Sequence, residues 1–173
     1  MFERYTEGAR RAIFFAHAVT LLNDGPAIDP AHLLYGLMWE DGFRAQELFR
    51  LREIFPLHCG GPYKYATLKA VPVRNPPLTY ESKKVLARTA WEADSMEDYW
   101  IDTEHMLLGI LYVRNCLAAR HLGIAGITLQ DARRIVRENK PSRPDYGPVP
   151  PCPTQAPLER LISKWRVWRY LRG

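Results

Sequence analysis

No Gly-x-x-x-x-Gly-Lys-[Ser/Thr] loop occurs anywhere in the 173 residues, so the chain cradles no nucleotide in the usual way. It has no Gly-x-Ser-x-Gly elbow and no Cys–His signature. No nucleophile, base and orienting group can be assembled from what is left, which argues against an enzyme and implies no cofactor. Cysteine is scarce. Cys59, Cys116 and Cys152 form no CxxC pair, which points to free thiols in a reduced, cytoplasmic compartment rather than to a disulfide framework. A membrane-length apolar run is also missing. Arg10-Arg11 followed by Ala12 to Leu22 has the outline of an export signal. That run falls well short of the ~20 residues a span requires. The corresponding later segment carries Arg88, Glu92 and Asp94, so both read as core helices.

Net charge is nearly absent over most of the chain. The net charge is +5, but residues 158–173 hold Arg160, Lys164, Arg166, Arg169 and Arg172 against Glu159. That leaves about +1 for everything before them. The basic pI belongs to the tail, and the main domain offers no basic stripe of the kind that tracks nucleic acid. The length suits one domain, or one domain plus a tail, large enough to bury a core without disulfides or metal.

The chain contains itself twice. Asp102-Thr103-Glu104-His105-Met106-Leu107-Leu108-Gly109-Ile110 echoes Asp29-Pro30-Ala31-His32-Leu33-Leu34-Tyr35-Gly36-Leu37. At that one offset Thr6 falls on Thr79, Ile28 on Ile101, His32 on His105, and Arg10-Arg11 on Lys83-Lys84. A register held without a gap from Thr6 to Met38 marks an internal duplication, each half one supersecondary unit leaning on the other.

Local signals divide each half into helices. Thr6 is an N-cap with Glu7 just inside, and Ala9, Ala12, Ile13, Ala16 and Thr20 follow at helical spacing. Asn23-Asp24-Gly25-Pro26 stops that helix. Asp29 caps the next, with Pro30 in its first turn, where a missing N–H costs nothing. Ala45, Leu48, Phe49 and Leu51 suggest a third. Residues 52–77 are rich in proline and glycine, and there the repeat symmetry is lost. Thr79 restarts the pattern with Ser82, Val85, Leu86, Thr89 and Ala93. A third helix then spans Cys116 to Leu122 with Gly123 as its stop, and Thr128 with Asp131 caps a fourth. Seven prolines in residues 141–157 make an extended linker. In 158–173, Leu158, Leu161, Ile162, Trp165 and Trp168 align on one face of a short helix, opposite Arg160, Lys164, Arg166 and Arg169.

Paired Thr-capped helices, each followed by an Asp-x-x-His-[Leu/Met]-Leu-x-Gly-[Leu/Ile] helix, resemble the Clp amino-terminal repeat domain at the front of ClpC- and ClpA-type AAA+ unfoldases. The opening Met1-Phe2-Glu3-Arg4-Tyr5-Thr6-Glu7 and the stretch Ile101–Ile110 carry most of the likeness. It covers about residues 1–140, with repeat 1 at about 1–57 and repeat 2 at about 78–140. The resemblance implies an all-α fold of two four-helix repeats related by a pseudo-twofold, the last helix of the first being degenerate. It also implies a docking role for substrates and adaptors of an unfoldase–protease machine. The ATPase modules are not in the sequence, so the expectation is a free-standing or degenerate relative of the docking domain.

ClpC-like members further imply a receptor for phosphorylated arginine in each repeat, made by the threonine that opens the first helix and the glutamate before the motif histidine. By position these are Thr79 and Glu104 in the second repeat, and Thr6 with Ala31 in the first. A helix N-terminus holds phosphate and a carboxylate pairs with guanidinium, so the chemistry is coherent. The plainer reading makes Thr79 a cap and Glu104 a first-turn acid that complements the helix dipole. His32 and His105 read as packed side chains donating to a nearby carbonyl, since neither has a ligand at i+4 for a metal. The tail helix suits a hydrophobic groove on a partner, an anionic membrane surface, or its own domain. Two functions stand: a non-catalytic adaptor or substrate-recognition module of a Clp system, and an interaction protein outside that system that works through its tail.

Overall fold

The computed structural model describes residues 2–40, 44–54 and 75–140, all within one compact unit, Met1–Lys140. They form eight helices and no strand: α1 (Glu7–Leu22), α2 (Pro30–Trp39), α3 (Arg44–Phe49), α4 (Leu51–Ile54), α5 (Tyr80–Ser95), α6 (Thr103–Tyr112), α7 (Leu117–Ile124) and α8 (Leu129–Glu138). Every helix start read from the sequence as a capped start is one. Thr6 accepts from the Ala9 amide, Thr79 from Ser82 and Thr128 from Asp131. Asp29 and Asp102 open α2 and α6.

α1 packs on α2, and α5 packs on α6 in the same way. In each pair the contact passes through a glycine. A Cβ at Gly36 would overlap the carbonyl oxygen of Ala12. One at Gly109 would overlap Thr89 Oγ1 and stand 2.7 Å from the Val85 carbonyl oxygen. The absent side chain lets two helix backbones come together. α6 sits at the centre, touching α1, α2, α3, α5, α7 and α8, and every residue from Thr103 to Leu111 is buried. Leu33, Leu37, Leu51, Met106, Leu107, Leu108, Ile110 and Leu122 are its fully enclosed neighbours and members.

The two repeats meet by a reciprocal exchange of backbone hydrogen bonds. The Thr6 amide donates to the Ile101 carbonyl at 2.9 Å, and the Ile101 amide to the Arg4 carbonyl at 2.7 Å. The symmetry mates are Thr79 to Ile28 at 3.0 Å and Ile28 to Pro77 at 2.8 Å. The segment leading into the first helix of each repeat thus pairs with the segment leading into the second helix of the other, as two short parallel bridges. This is the pseudo-twofold of a duplicated chain. Tyr5 is buried at one bridge, and burial pushes its phenol up to about 12.

Two details differ from the sequence reading. The expected stop at Gly123 is not one: α7 runs on to Ile124, and the left-handed residue is Gly126, with φ of +81°. Gly126 N–H donates to the Gly123 carbonyl and Ile127 N–H to the Leu122 carbonyl, the paired bonds of a Schellman ending. In the first repeat the third helix is two pieces, α3 and α4, broken at Arg50 with φ of +46°. The counterpart of α8, the degenerate last helix, falls outside the described residues, as do the linker and the tail.

The glycine contacts give a direct expectation. Gly36→Ala should cost about 2 kcal/mol or more in urea unfolding, because backbone has to move to admit the methyl. Gly123→Ala, with nothing within 4 Å of the added carbon, should be neutral or stabilise by about 0.5 kcal/mol. Equal effects of the two substitutions would contradict this packing.

Candidate docking site at the repeat junction

The site expected from the sequence lies where the helix starts meet. Thr6 Oγ1 donates to Asp102 Oδ1 at 2.9 Å, so the start of α1 is tied to the start of α6. Thr79 instead turns to its own helix and to the first repeat. Its hydroxyl bonds Ser82 Oγ at 3.1 Å, and Ser82 Oγ donates to the Ile28 carbonyl at 2.8 Å. The helix starts therefore pair across the repeats. The hydrogen bonding joins Thr6, not Thr79, to the segment that carries Glu104, and joins Thr79 to the segment that carries Ala31. The resemblance groups Thr79 with Glu104 by repeat, whereas the hydrogen bonds between helix starts run from each repeat to the other.

Glu104 itself is 1 % exposed. Its Oε1 stands 4.0 Å from Nε of Arg44, the first residue of α3. α3 is clamped over the first turn of α6, with the Ala45 amide donating to Thr103 Oγ1 at 3.1 Å and Arg44 reaching the Asn139 carbonyl. This first-turn carboxylate thus faces an arginine of the first repeat.

The motif histidines have a structural role that differs from the expected donation to a carbonyl. His105 Nδ1 accepts from the Asp102 backbone amide at 3.0 Å, and His32 Nδ1 accepts from the Asp29 amide at 3.2 Å. Each cap residue also accepts through its own side chain at the start of the same helix, Asp29 from the His32 amide and Asp102 from the Thr103 amide. Histidine at the third position takes the part that Glu or Gln plays in the usual capping box. Nδ1 of His105 is the acceptor, so its proton sits on Nε2, which is 3.3 Å from Asp98 Oδ2. Among the described residues no group of three or more His, Cys, Asp or Glu is placed to hold a metal.

Residues 4–125 match the Clp repeat (R) N-terminal domain. The chain belongs to that family. It is 30% identical over 145 residues to the negative regulator of genetic competence ClpC/MecB of Bacillus subtilis, a match covering 79% of this chain and 17% of that protein. It is 28% identical over 137 residues to the chaperone protein ClpB of Oceanobacillus iheyensis, again 79% of this chain and 17% of that one. The chain thus spans about a sixth of the length of the curated relatives it matches. Among solved structures, the N-terminal domain of ClpD from Arabidopsis thaliana aligns with a TM-score of 0.55 at 22% identity, covering 78% of this chain and 93% of that one. The Hsp104 N-terminal domain from Candida albicans gives 0.55 at 18%, covering 80% and 93%. These likenesses speak for the Clp repeat fold alone.

The tail residues Leu158, Arg160, Leu161, Ile162, Lys164, Trp165, Trp168 and Arg169 lie outside the described residues. No described helix is long and apolar enough to cross a membrane. One polar centre escaped the sequence reading. Glu92 is fully buried and shared by Arg88 and Arg133, which donate to it at 2.6–3.0 Å. The i, i+4 spacing of Arg88 and Glu92 was a legible hint, but Arg133 comes from a helix 41 residues away.

The capping role of the motif histidines is testable in the Clp repeat. His105→Leu keeps volume but removes the acceptor, and should cost about 1–2 kcal/mol in denaturant unfolding. His105→Gln, which retains an acceptor, should cost less, and added zinc should leave the melting temperature unchanged. A leucine variant as stable as the parent, or a zinc-dependent rise in melting temperature, would overturn the assignment.

Proposed function

We propose that this Clp repeat is a non-catalytic docking module that receives adaptor or substrate polypeptides for a Clp chaperone–protease system in the cytoplasm. The observation that carries this reading is the double repeat, paired through its helix starts and matching the family over residues 4–125. Sequence absences support the non-catalytic part: no nucleotide loop and no assembled nucleophile. Neither nucleotide nor nucleic acid is a partner in this reading.

The finer expectation, a seat for phosphorylated arginine, takes a new form in this geometry. Its parts would be Glu104 with the start of α1 at Thr6, and separately the start of α5 at Thr79 beside a segment that has alanine at position 31. Arg44 already faces Glu104. A ligand guanidinium would have to displace it, so the seat would be closed at rest.

The second reading, an interaction protein outside the Clp system that works through its tail on a partner or an anionic membrane surface, rests on residues 158–173 of the sequence.

One experiment addresses these readings together. The full chain and a 1–140 truncation are used as bait in native lysate, and captured proteins are identified by mass spectrometry. The docking reading expects a Clp unfoldase, its protease or their clients with both baits, and addition of free phosphoarginine to compete if the finer expectation holds. Capture by the full chain only would transfer function to the tail. Absence of every Clp component from both would end the Clp reading.

A further inference from the structure

On one face of α5 the fold fixes a strip of side chains yet leaves it open to solvent. The Arg88 guanidinium is sandwiched between two rings, 3.4 Å from the Trp91 centroid and 3.8 Å from that of Tyr112. Arg88 is itself held by the buried Glu92, which Arg133 grips from α8. A buried carboxylate shared by two guanidiniums positions one of them, and that one positions two rings. The rings nevertheless stay about half exposed, Trp91 at 50 % and Tyr112 at 48 %. Farther along the helix Lys84 Nζ lies 4.4 Å over the ring of Tyr80, which is 67 % exposed. Positions 80, 84, 88 and 91 recur at helical spacing and so share one face.

The strip is peculiar to the second repeat. The positions equivalent to Arg88, Trp91 and Tyr112 are Phe15, Ala18 and Trp39. In the first repeat Phe15 and Trp39 pack against each other at a tilt, ring centroids 6.0 Å apart, and Ala18 is buried. The second repeat has replaced an apolar contact with a cation held between exposed rings. The charge is also one-sided. Glu92 offsets one of its two arginines, and Lys84 makes no ion pair among the described residues.

We propose that this strip is the surface on which an acidic polypeptide segment docks. The carboxylates of the segment would meet Lys84 and the edges of Arg88, and its apolar side chains would lie on Trp91, Tyr112 and Tyr80. Tryptophan, tyrosine and arginine are the residues that most often dominate binding energy at protein interfaces. Here they are held before binding, so little side-chain entropy is left to lose. The uncompensated positive charge selects against basic partners. The inference rests on the polypeptide-docking reading above and adds to it a surface and a partner chemistry.

The test is fluorescence anisotropy of the full chain with three labelled probes: a 16-residue peptide of repeating Glu-Phe-Asp-Leu, one of repeating Lys-Phe-Arg-Leu, and a 16-nucleotide single-stranded oligothymidylate. The acidic peptide should bind, and the basic one should not. Trp91→Ala and Lys84→Glu, checked for unchanged helicity by circular dichroism, should each weaken the acidic peptide about tenfold or more. Arg120→Glu, an equal charge change at an exposed site on α7, should alter it less than about twofold. Equal binding to the parent and both strip variants would remove this surface while leaving polypeptide docking intact. No binding of the acidic peptide, or tighter binding of the oligonucleotide that Trp91→Ala abolishes, would overturn the proposal, with the lysate capture still deciding the docking reading independently.

Discussion

Four backbone hydrogen bonds between the two repeats set the rest of the structure. Each is a modest contributor, about 1 kcal/mol net. Their weight lies in position, because they join residues at and just before the helix caps of one repeat to those just before the helix caps of the other. Once Arg4–Thr6 lies beside Ile101, and Pro77–Thr79 beside Ile28, α1, α2, α5 and α6 have fixed starting points. The glycine contacts then fix how α1 crosses α2 and how α5 crosses α6. From Thr103 to Leu111, α6 is left in the middle with no side chain open to solvent, which is why its motif reads as nearly continuous apolar sequence.

That arrangement changes the meaning of the residues around it. A capping aspartate at the head of α6 serves its own helix through Thr103 and the neighbouring repeat through Thr6. The histidine after it completes the cap rather than offering itself to a ligand. The first-turn glutamate is enclosed by a helix of the other repeat. A junction built from helix starts is thus spent largely on holding the duplication together. The side chains that remain available, Tyr80, Lys84, Trp91 and Tyr112, lie on a different face.

Much of the fold was legible because its signals are local. Thr6, Asp29, Thr79, Asp102 and Thr128 are caps whose partners lie within three residues, and the duplication is visible by offset alone. What could not be read depends on pairs distant in sequence. Nothing local says that Thr6 contacts Asp102, that Arg44 covers Glu104, or that Arg133 completes the pocket of Glu92. The misplaced stop at Gly123 has a local cause: two glycines three residues apart both suit a helix end, and only the backbone shows that Gly126 takes the left-handed turn. Which helix starts face one another is set by the fold in the same way: hydrogen bonds join Thr6 to Asp102 and Thr79 to Ile28.

The central claim is that reciprocal pairing makes the two repeats one cooperative unit. Native-state hydrogen exchange tests it at four amides: Thr6, Ile28, Thr79 and Ile101. If the claim holds, all four exchange only on global unfolding, with the same opening free energy as the amide of Leu107 in the centre of α6. If one pair opens well below that value, while α1–α2 and α5–α6 stay protected, the repeats are independently stable and the junction is a contact between them rather than the constraint on which the fold depends.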